Sequence, residues 1–208
     1  QRRHAEAIAC WEKASTLDPN FPTTWRNLGL AYFNKRGDAD KALAAYERAF
    51  ACNPNDARVL FELDQLHKKR NVSPADRFAH LKQHLPLVER RDDLSIEYIA
   101  LLNMLGRHDE AYSRIMARTF HPWEGGEGKA TAQYIAALLG LARKHLDDGN
   151  TASAIDCLTR AQTLPHSLGE GKLPNAQEND IFYLLGLTQQ RVGDAIAAQT
   201  SFSRASTG

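Results

Sequence analysis

Most function classes need something that this chain of 208 residues has little of. Its three cysteines, Cys10, Cys52 and Cys157, stand far apart with no C-x-x-C, which argues against a disulfide scaffold or a cysteine zinc site. They read instead as free thiols acting as small apolar residues in a reducing cytoplasm, since Cys10 and Cys157 each precede a large apolar position, Trp11 and Leu158. Neither sign of charge dominates: the net charge is +1, so nothing draws the chain in bulk toward nucleic acid or an anionic membrane. A strong basic stripe, which helical-repeat RNA binding needs, is also lacking. No apolar run approaches the roughly 18 residues that cross a bilayer, and no basic-then-apolar leader is present. The expected setting is therefore cytoplasmic, with no membrane and no nucleic acid as partner. The chain starts at Gln1, already inside an expected helix, and reads as part of something longer.

Catalytic chemistry is sparse as well. A phosphate loop fails at Gly128-Lys129, because Ala130 follows where Ser or Thr is needed and Trp123 takes the place of the first glycine. His80 and His84 are four apart on an expected helix, yet Leu81 stands where a hydrolytic zinc motif needs Glu, and two ligands leave a metal site incomplete. They read as an exposed pair. No Ser/His/Asp, Cys/His or paired-carboxylate set can be assembled from spacing. The expectation is no catalytic residue, no metal, no cofactor and no enzymatic activity in this chain.

What is present is a repeat. Trp25, Leu28, Gly29 and Tyr32 give W-x2-L-G-x2-Y, and Ala42, Tyr46, Ala49 and Pro54 supply a small residue, an aromatic, a second small residue and a closing proline. Trp25, Leu28 and Tyr32 share one face of a first helix. Gly29 and Ala42 lack bulk and let the paired helices approach, while Tyr46 is expected to fill the next groove along. This pattern resembles the tetratricopeptide (TPR) repeat, a helix–turn–helix unit of about 34 residues. The resemblance implies an all-α, right-handed superhelix built by stacking. Between Tyr32 and Ala42 the unit has one residue more than that pattern, which the turn at Arg36-Gly37-Asp38 is expected to absorb.

The same rhythm runs along the chain. Ala7, Trp11, Ala14 and Pro19 form a leading half repeat over 1–21, followed by repeats at about 22–56, 57–91, 92–127, 128–176 and 177–208 in a single solenoid. The second repeat sets Leu60, Leu63 and His67 at the W, L and Y positions, with Asp64 where glycine stood. Asp56 is its expected N-cap, and Ser73-Pro74 opens a second helix with Phe78, Leu81, Leu85 and Val88 as its stripe. A third pair carries Ile96, Ile99, Leu102 and Leu105, then Ala111, Ile115 and Met116. A long helix is expected from Ala130 to Asp148, and Phe182, Leu185, Gly186, Ala198, Phe202 and Ala205 mark a clean last repeat.

Two segments interrupt this order. His121-Pro122-Trp123-Glu124-Gly125-Gly126-Glu127-Gly128-Lys129 and Gly169-Glu170-Gly171-Lys172 each precede a first helix. Together with Ala176-Gln177-Glu178-Asn179-Asp180 they resemble a family of large bacterial TPR proteins with an amino-terminal, mutarotase-like β-sandwich region. That resemblance implies that this chain is the carboxy-terminal helical part and that any sugar chemistry belongs mainly to the absent part. The expected partner is a protein or peptide or another domain of the same chain, with an accessory role in a carbohydrate-active enzyme, and so a carbohydrate, as the alternative reading. For the doubled Gly-Glu-Gly-Lys, two arrangements stay open. One is a polar pocket for a sugar or anion built from His121, Trp123, Glu124, Glu127, Lys129, Glu170 and Lys172. The other is a clasp in which the glutamates cap helix donors.

The first-helix positions that face a TPR groove are Arg26, Leu30, Phe33 and Asn34; Arg58, Phe61, Gln65, Lys68 and Lys69; and Arg143, Tyr183, Leu187 and Arg191. Cations mixed with aromatics suit an extended peptide of some acidic character. Arg26/Leu30 does not match the Lys/Asn pair of a chaperone-tail clamp. A solvated groove, a groove filled by another segment, and self-association through solenoid ends are the other readings.

Overall fold

The computed structural model describes residues 3–121, 128–172 and 178–207. The described residues are helices and turns with no strand, so the fold class is all-α. The chain divides into two compact units, Gln1–Leu94 and Ser95–Gly208. The first holds α1 (His4–Leu17), α2 (Pro22–Ala31), α3 (Ala39–Cys52), α4 (Ala57–Lys69), α5 (Pro74–Lys82) and the short α6 (Leu85–Val88). Helix α7 (Asp92–Met104) runs into the second, which continues with α8 (His108–Met116), α9 (Lys129–Asp147), α10 (Thr151–Arg160), α11 (Asn179–Arg191) and α12 (Ala195–Ser206). Within the first unit α1, α2, α3 and α4 pack each on the next, as do α8 to α12 within the second.

The turns between paired helices share one chemistry. At Asn71, Gly106, Gly149 and Gly193 the backbone is left-handed. In each case the following N–H returns to a carbonyl five residues back: Val72 to His67, Arg107 to Leu102, Asn150 to His145 and Asp194 to Gln189. Each closes a helix end whose carbonyls would otherwise lack partners. Side-chain caps then start the next helices. Asp38, Ser73, Asn150 and Asp194 each accept from the N–H three residues on, and Asp56 accepts from Arg58 and Val59.

The first hairpin departs from this rule. Asp38 N–H reaches back six residues to Tyr32 at 3.0 Å, because Tyr32–Arg36 forms a π-helical turn at the end of α2. The additional residue expected in the turn at Gly37 is thus accommodated inside the helix.

In the first unit, Leu28, Ala31, Ile8 and Ala45 form one buried cluster, flanked by Trp11, Trp25 and Tyr32. Ala42, Tyr46, Ala49, Val59, Leu63 and Leu66 form a second. Tyr46 does not simply fill the next groove: its ring lies directly over Gly29, where an added Cβ would come within 2.9 Å of it. In the second hairpin Asp64, at the glycine position, is 1% exposed and meets Arg77, 4% exposed, through two hydrogen bonds of 3.0 and 2.6 Å.

Three other expectations change. The stripe Phe78, Leu81, Leu85, Val88 is not one helix: Gln83 and His84 end α5, Pro86 starts α6 anew, and Leu87 rather than Leu85 is buried beside Val88. His80 and His84 are not an exposed pair. Both are half-buried, with ring centroids 5.4 Å apart, His67 standing 5.7 Å from His80 and Phe50 5.1 Å from His84. Burial lowers the pKa of His67 and His80, and for His80 the neighbouring imidazoles lower it further. Met116 is exposed, because α8 turns Ala111 and Ile115 inward on the opposite side.

Candidate interaction groove

Helix α2 with its π-helical turn and helix α4 lie on either side of a cavity of about 120 Å³, lined by Leu30, Phe33, Asn34, Tyr46, Glu62, Gln65, Leu66 and Lys69. Leu30 and Asn34 also line an adjoining open depression of about 450 Å³, whose far side is His4, Ala7 and Trp11 of α1 and whose rim includes Lys35. Five of the groove residues expected from repeat spacing, Leu30, Phe33, Asn34, Gln65 and Lys69, therefore converge.

Its polar groups fall into two kinds. Glu62 is engaged: Arg26 Nε donates to it at 2.8 Å with a second, closer guanidinium contact, and Arg58 Nε lies 3.4 Å away. This forked pair raises the pKa of Arg26 and fixes α2 against α4. Gln65 is different, since its Nε2 is buried and finds no hydrogen-bond partner. Lys69 lies 4.6 Å over the Phe33 ring, a cation–π contact. Burial, aided by the nearby Glu62 carboxylate, pushes the Tyr46 hydroxyl well above its ordinary pKa.

The other expected residues take separate roles. Phe61 is half-buried on α4, and Lys68 is exposed at its end. Arg143, Tyr183 and Arg191 belong to the second unit. There Arg143 is exposed, Tyr183 is 54% exposed with its ring 6.0 Å from Phe202, and Arg191 donates to the Leu146 carbonyl at 3.1 Å, fastening α11 to the end of α9. Spacing alone missed Glu62, Asn27 and Lys35; the Arg58–Glu62 separation of four on one helix face was the available signal for the first.

Of the loop residues, Trp123, Glu124 and Glu127 lie outside the described residues. His121 and Lys129 are exposed. Glu170 accepts a hydrogen bond from Gly128 N–H, the N-cap of α9, at 3.0 Å, and Lys172 pairs with Glu178 at 2.5 Å. The backbone strengthens this joint, with Phe120 N–H donating to the Ser167 carbonyl at 2.8 Å. Lys172 and Glu178 edge a cleft of about 340 Å³ floored by Ile135, Ala136, Leu139, Ala161 and Leu164. Among the described residues no set of three or more His, Cys, Asp or Glu side chains could hold a metal ion. No described helix is long and apolar enough to cross a membrane.

Comparison with known proteins agrees with this architecture. Residues 2–36, from α1 through the π-helical turn, match the TPR repeat. A stretch of 70 residues is 33% identical to the Cell division cycle protein 27 homolog of Caenorhabditis elegans, covering 34% of this chain and 9% of that protein. The chain thus matches less than a tenth of that relative's length. Among solved structures it is similar to YrrB, described as a TPR protein with an unusual peptide-binding site, with a TM-score of 0.60 and 14% identity over 94% of this chain and 90% of that one. It is also similar to the MamA protein, with a TM-score of 0.58 and 18% identity over 90% and 91% of the two chains, and to MamA from Desulfovibrio magneticus RS-1, with a TM-score of 0.55 and 16% identity over 88% and 92%. The chain thus carries TPR repeat sequence at residues 2–36 and shares its all-helical fold with these solved structures.

Proposed function

We propose that the chain is a non-catalytic interaction scaffold that holds a segment of a partner protein, or of another domain of its own polypeptide, on the first-helix face of its amino-terminal unit. The observation that carries this reading is the preformed cavity between α2 and α4, on which Leu30, Phe33, Asn34, Gln65 and Lys69 converge. Helices fixed by the Arg26–Glu62 pair present these groups without rearrangement, which limits the ordering cost of binding. The likeness in fold to a solved TPR protein with a peptide-binding site supports the same reading.

A sugar or anion site at the two Gly-Glu-Gly-Lys segments is not the reading adopted, because Glu170 and Lys172 already hold protein partners. The test is selection of displayed random peptides on the intact chain. Binding of the selected peptides is expected to fall at least about tenfold in Leu30→Glu and Phe33→Ala. It should be unchanged in Ala44→Lys, at an exposed position of α3. Peptides indifferent to all three substitutions would overturn the proposal.

A further inference from the structure

The depression beside the groove repeats the groove's own lining. Five residues of the cavity between α2 and α4, Tyr46, Glu62, Gln65, Leu66 and Lys69, have counterparts 35 residues earlier: Trp11, Asn27, Leu30, Ala31 and Asn34. All five counterparts line the depression of about 450 Å³. The two surfaces are therefore the same part of successive hairpins, one repeat apart. They differ in what lies across them. Leu30, Phe33 and Asn34 of α2 close the later one down to about 120 Å³, whereas the earlier one is lined, among the described residues, by α1, α2 and its π-helical turn alone.

We infer that this depression is the seat of an amphipathic helix donated by a partner protein, in the place that α2 takes one repeat on. What such a helix must carry can be read from α2. A Cβ added to Gly29 would come within 2.9 Å of the Tyr46 ring, so the donated helix needs a glycine or another small residue over Trp11, the counterpart of Tyr46. Three residues before Gly29, Arg26 forks onto Glu62. Asn27 stands in the place of Glu62, so an arginine there would find no carboxylate, whereas a glutamine would meet the amide. Leu30 and Phe33, one and four residues after Gly29, give the apolar pair that reaches across. No carboxylate lines the depression and Lys35 stands on its rim, which disfavours a basic helix.

The seat is formed without its occupant. Ile8 of α1 and Leu28 and Ala31 of α2 share one buried cluster, with Trp11 at its flank. The Tyr32 hydroxyl donates to Glu12 at 2.9 Å and Arg36 to the same carboxylate at 3.3 Å, pinning the end of α2 to α1. Trp25 Nε1 donates to the Pro19 carbonyl at 2.9 Å and holds the turn between them. A surface ordered before binding suits an occupant that arrives from solution, because little is left to order on docking. A second copy is the poorer donor. In each copy the first helices α2, α4, α9 and α11 are packed between two others, so lending one would break a hairpin.

The probe is a capped peptide of residues 22–34 with Arg26→Gln, lactam-bridged on the face away from Gly29 to hold it helical. Its binding to the intact chain is followed by fluorescence anisotropy. Retaining Arg26 in the peptide is expected to weaken binding about threefold. Gly29→Leu in the peptide should weaken it at least about tenfold, although leucine is the better helix former. In the chain, Ala7→Lys lays a long side chain across the depression and should cost at least about tenfold. Ala44→Lys, at an exposed position of α3, should leave binding unchanged. If Ala7→Lys lowers the thermal melt, the Gly and Leu peptides decide on the unaltered chain.

Equal binding of the Gly and Leu peptides, binding indifferent to Ala7→Lys in a folded chain, or no binding by any peptide overturns this inference. A dimer of the chain that Ala7→Lys abolishes makes a second copy the occupant and overturns it as well. The scaffold reading is judged separately, through the dependence of selected peptides on Phe33, which does not line the depression.

Discussion

Four residues past its N-cap, each second helix of the first unit sets a side chain against its partner helix: Ala42 in α3, Arg77 in α5. Nine residues before that cap stand Gly29 in α2 and Asp64 in α4. One hairpin closes by leaving out bulk on both sides, so that the Tyr46 ring can lie on bare backbone. The other fills the same place with a buried ion pair. The two are not equivalent in tolerance. Loss of a small-residue contact is a matter of tenths of an ångström, whereas a buried charge that loses its partner has nowhere to go.

The sharpest way to separate the two hairpins is therefore to remove one member of the pair. Arg77→Ala should lower stability by about 3–5 kcal/mol in urea denaturation, by stranding Asp64. The double replacement Asp64→Leu/Arg77→Met should regain most of that loss, because it buries no charge. A single-mutant loss below about 1 kcal/mol would show the pair to be solvated and would erase the contrast.

Next comes overpacking of the first hairpin. Gly29→Ala gains roughly 1 kcal/mol of helix propensity but drives a methyl to within 2.9 Å of the Tyr46 ring. Overpacking of this kind costs typically 1–3 kcal/mol, for a net loss of about 1 kcal/mol by the same denaturation measurement. A net gain would mean that the ring retreats freely and that the glycine is not what seats it.

The smallest effect concerns pH. His67 and His80, both with lowered pKa, lie at the α4–α5 joint, and the groups around them are Asp64, Arg77, Arg70, Glu47 and His84. Because folding holds these imidazoles neutral, the folded state binds fewer protons than the unfolded chain below the ordinary histidine pKa of about 6.5. Their contribution is complete above that value and is lost as pH falls through the lowered folded values. Amide exchange should thus quicken in α4 and α5 on acidification from about pH 7.5 to 5.5, more than in α2 and α3, which contain no histidine. His67→Gln/His80→Gln should abolish the difference.

Much of this architecture was legible in the residues. Periodic burial, the caps Asp56 and Ser73 and the glycine turns are local signals, and each hairpin restates them. The Asp64–Arg77 pair was half legible, since the missing glycine at 64 was visible but its partner 13 residues on was not. Periodicity cannot say which polar groups meet. For the same reason the edge-on imidazole cluster read as an exposed pair: spacing placed His80 and His84 on one face but could not show His67 arriving from α4. Repeat spacing names a face, and Leu30, Phe33, Asn34, Gln65 and Lys69 on that face line one cavity. The engagement of Glu62 and the solitary Gln65 amide depend on contacts between helices, which that spacing does not encode.

The widened turn at Tyr32–Arg36 also decides how the groove can change by mutation. A codon added to a connecting loop lengthens a tether and changes little else. Added inside a helix, it rotates the residues on its carboxy-terminal side relative to those on its amino-terminal side by one residue's step, about 100°. Phe33, Asn34 and Lys35 sit on that seam. A single-codon deletion there would turn Phe33, Asn34 and Lys35 relative to Leu30, and because Gly29 precedes the seam while Tyr46 follows it, the turn at Gly37 would have to take up the shift for their contact to survive.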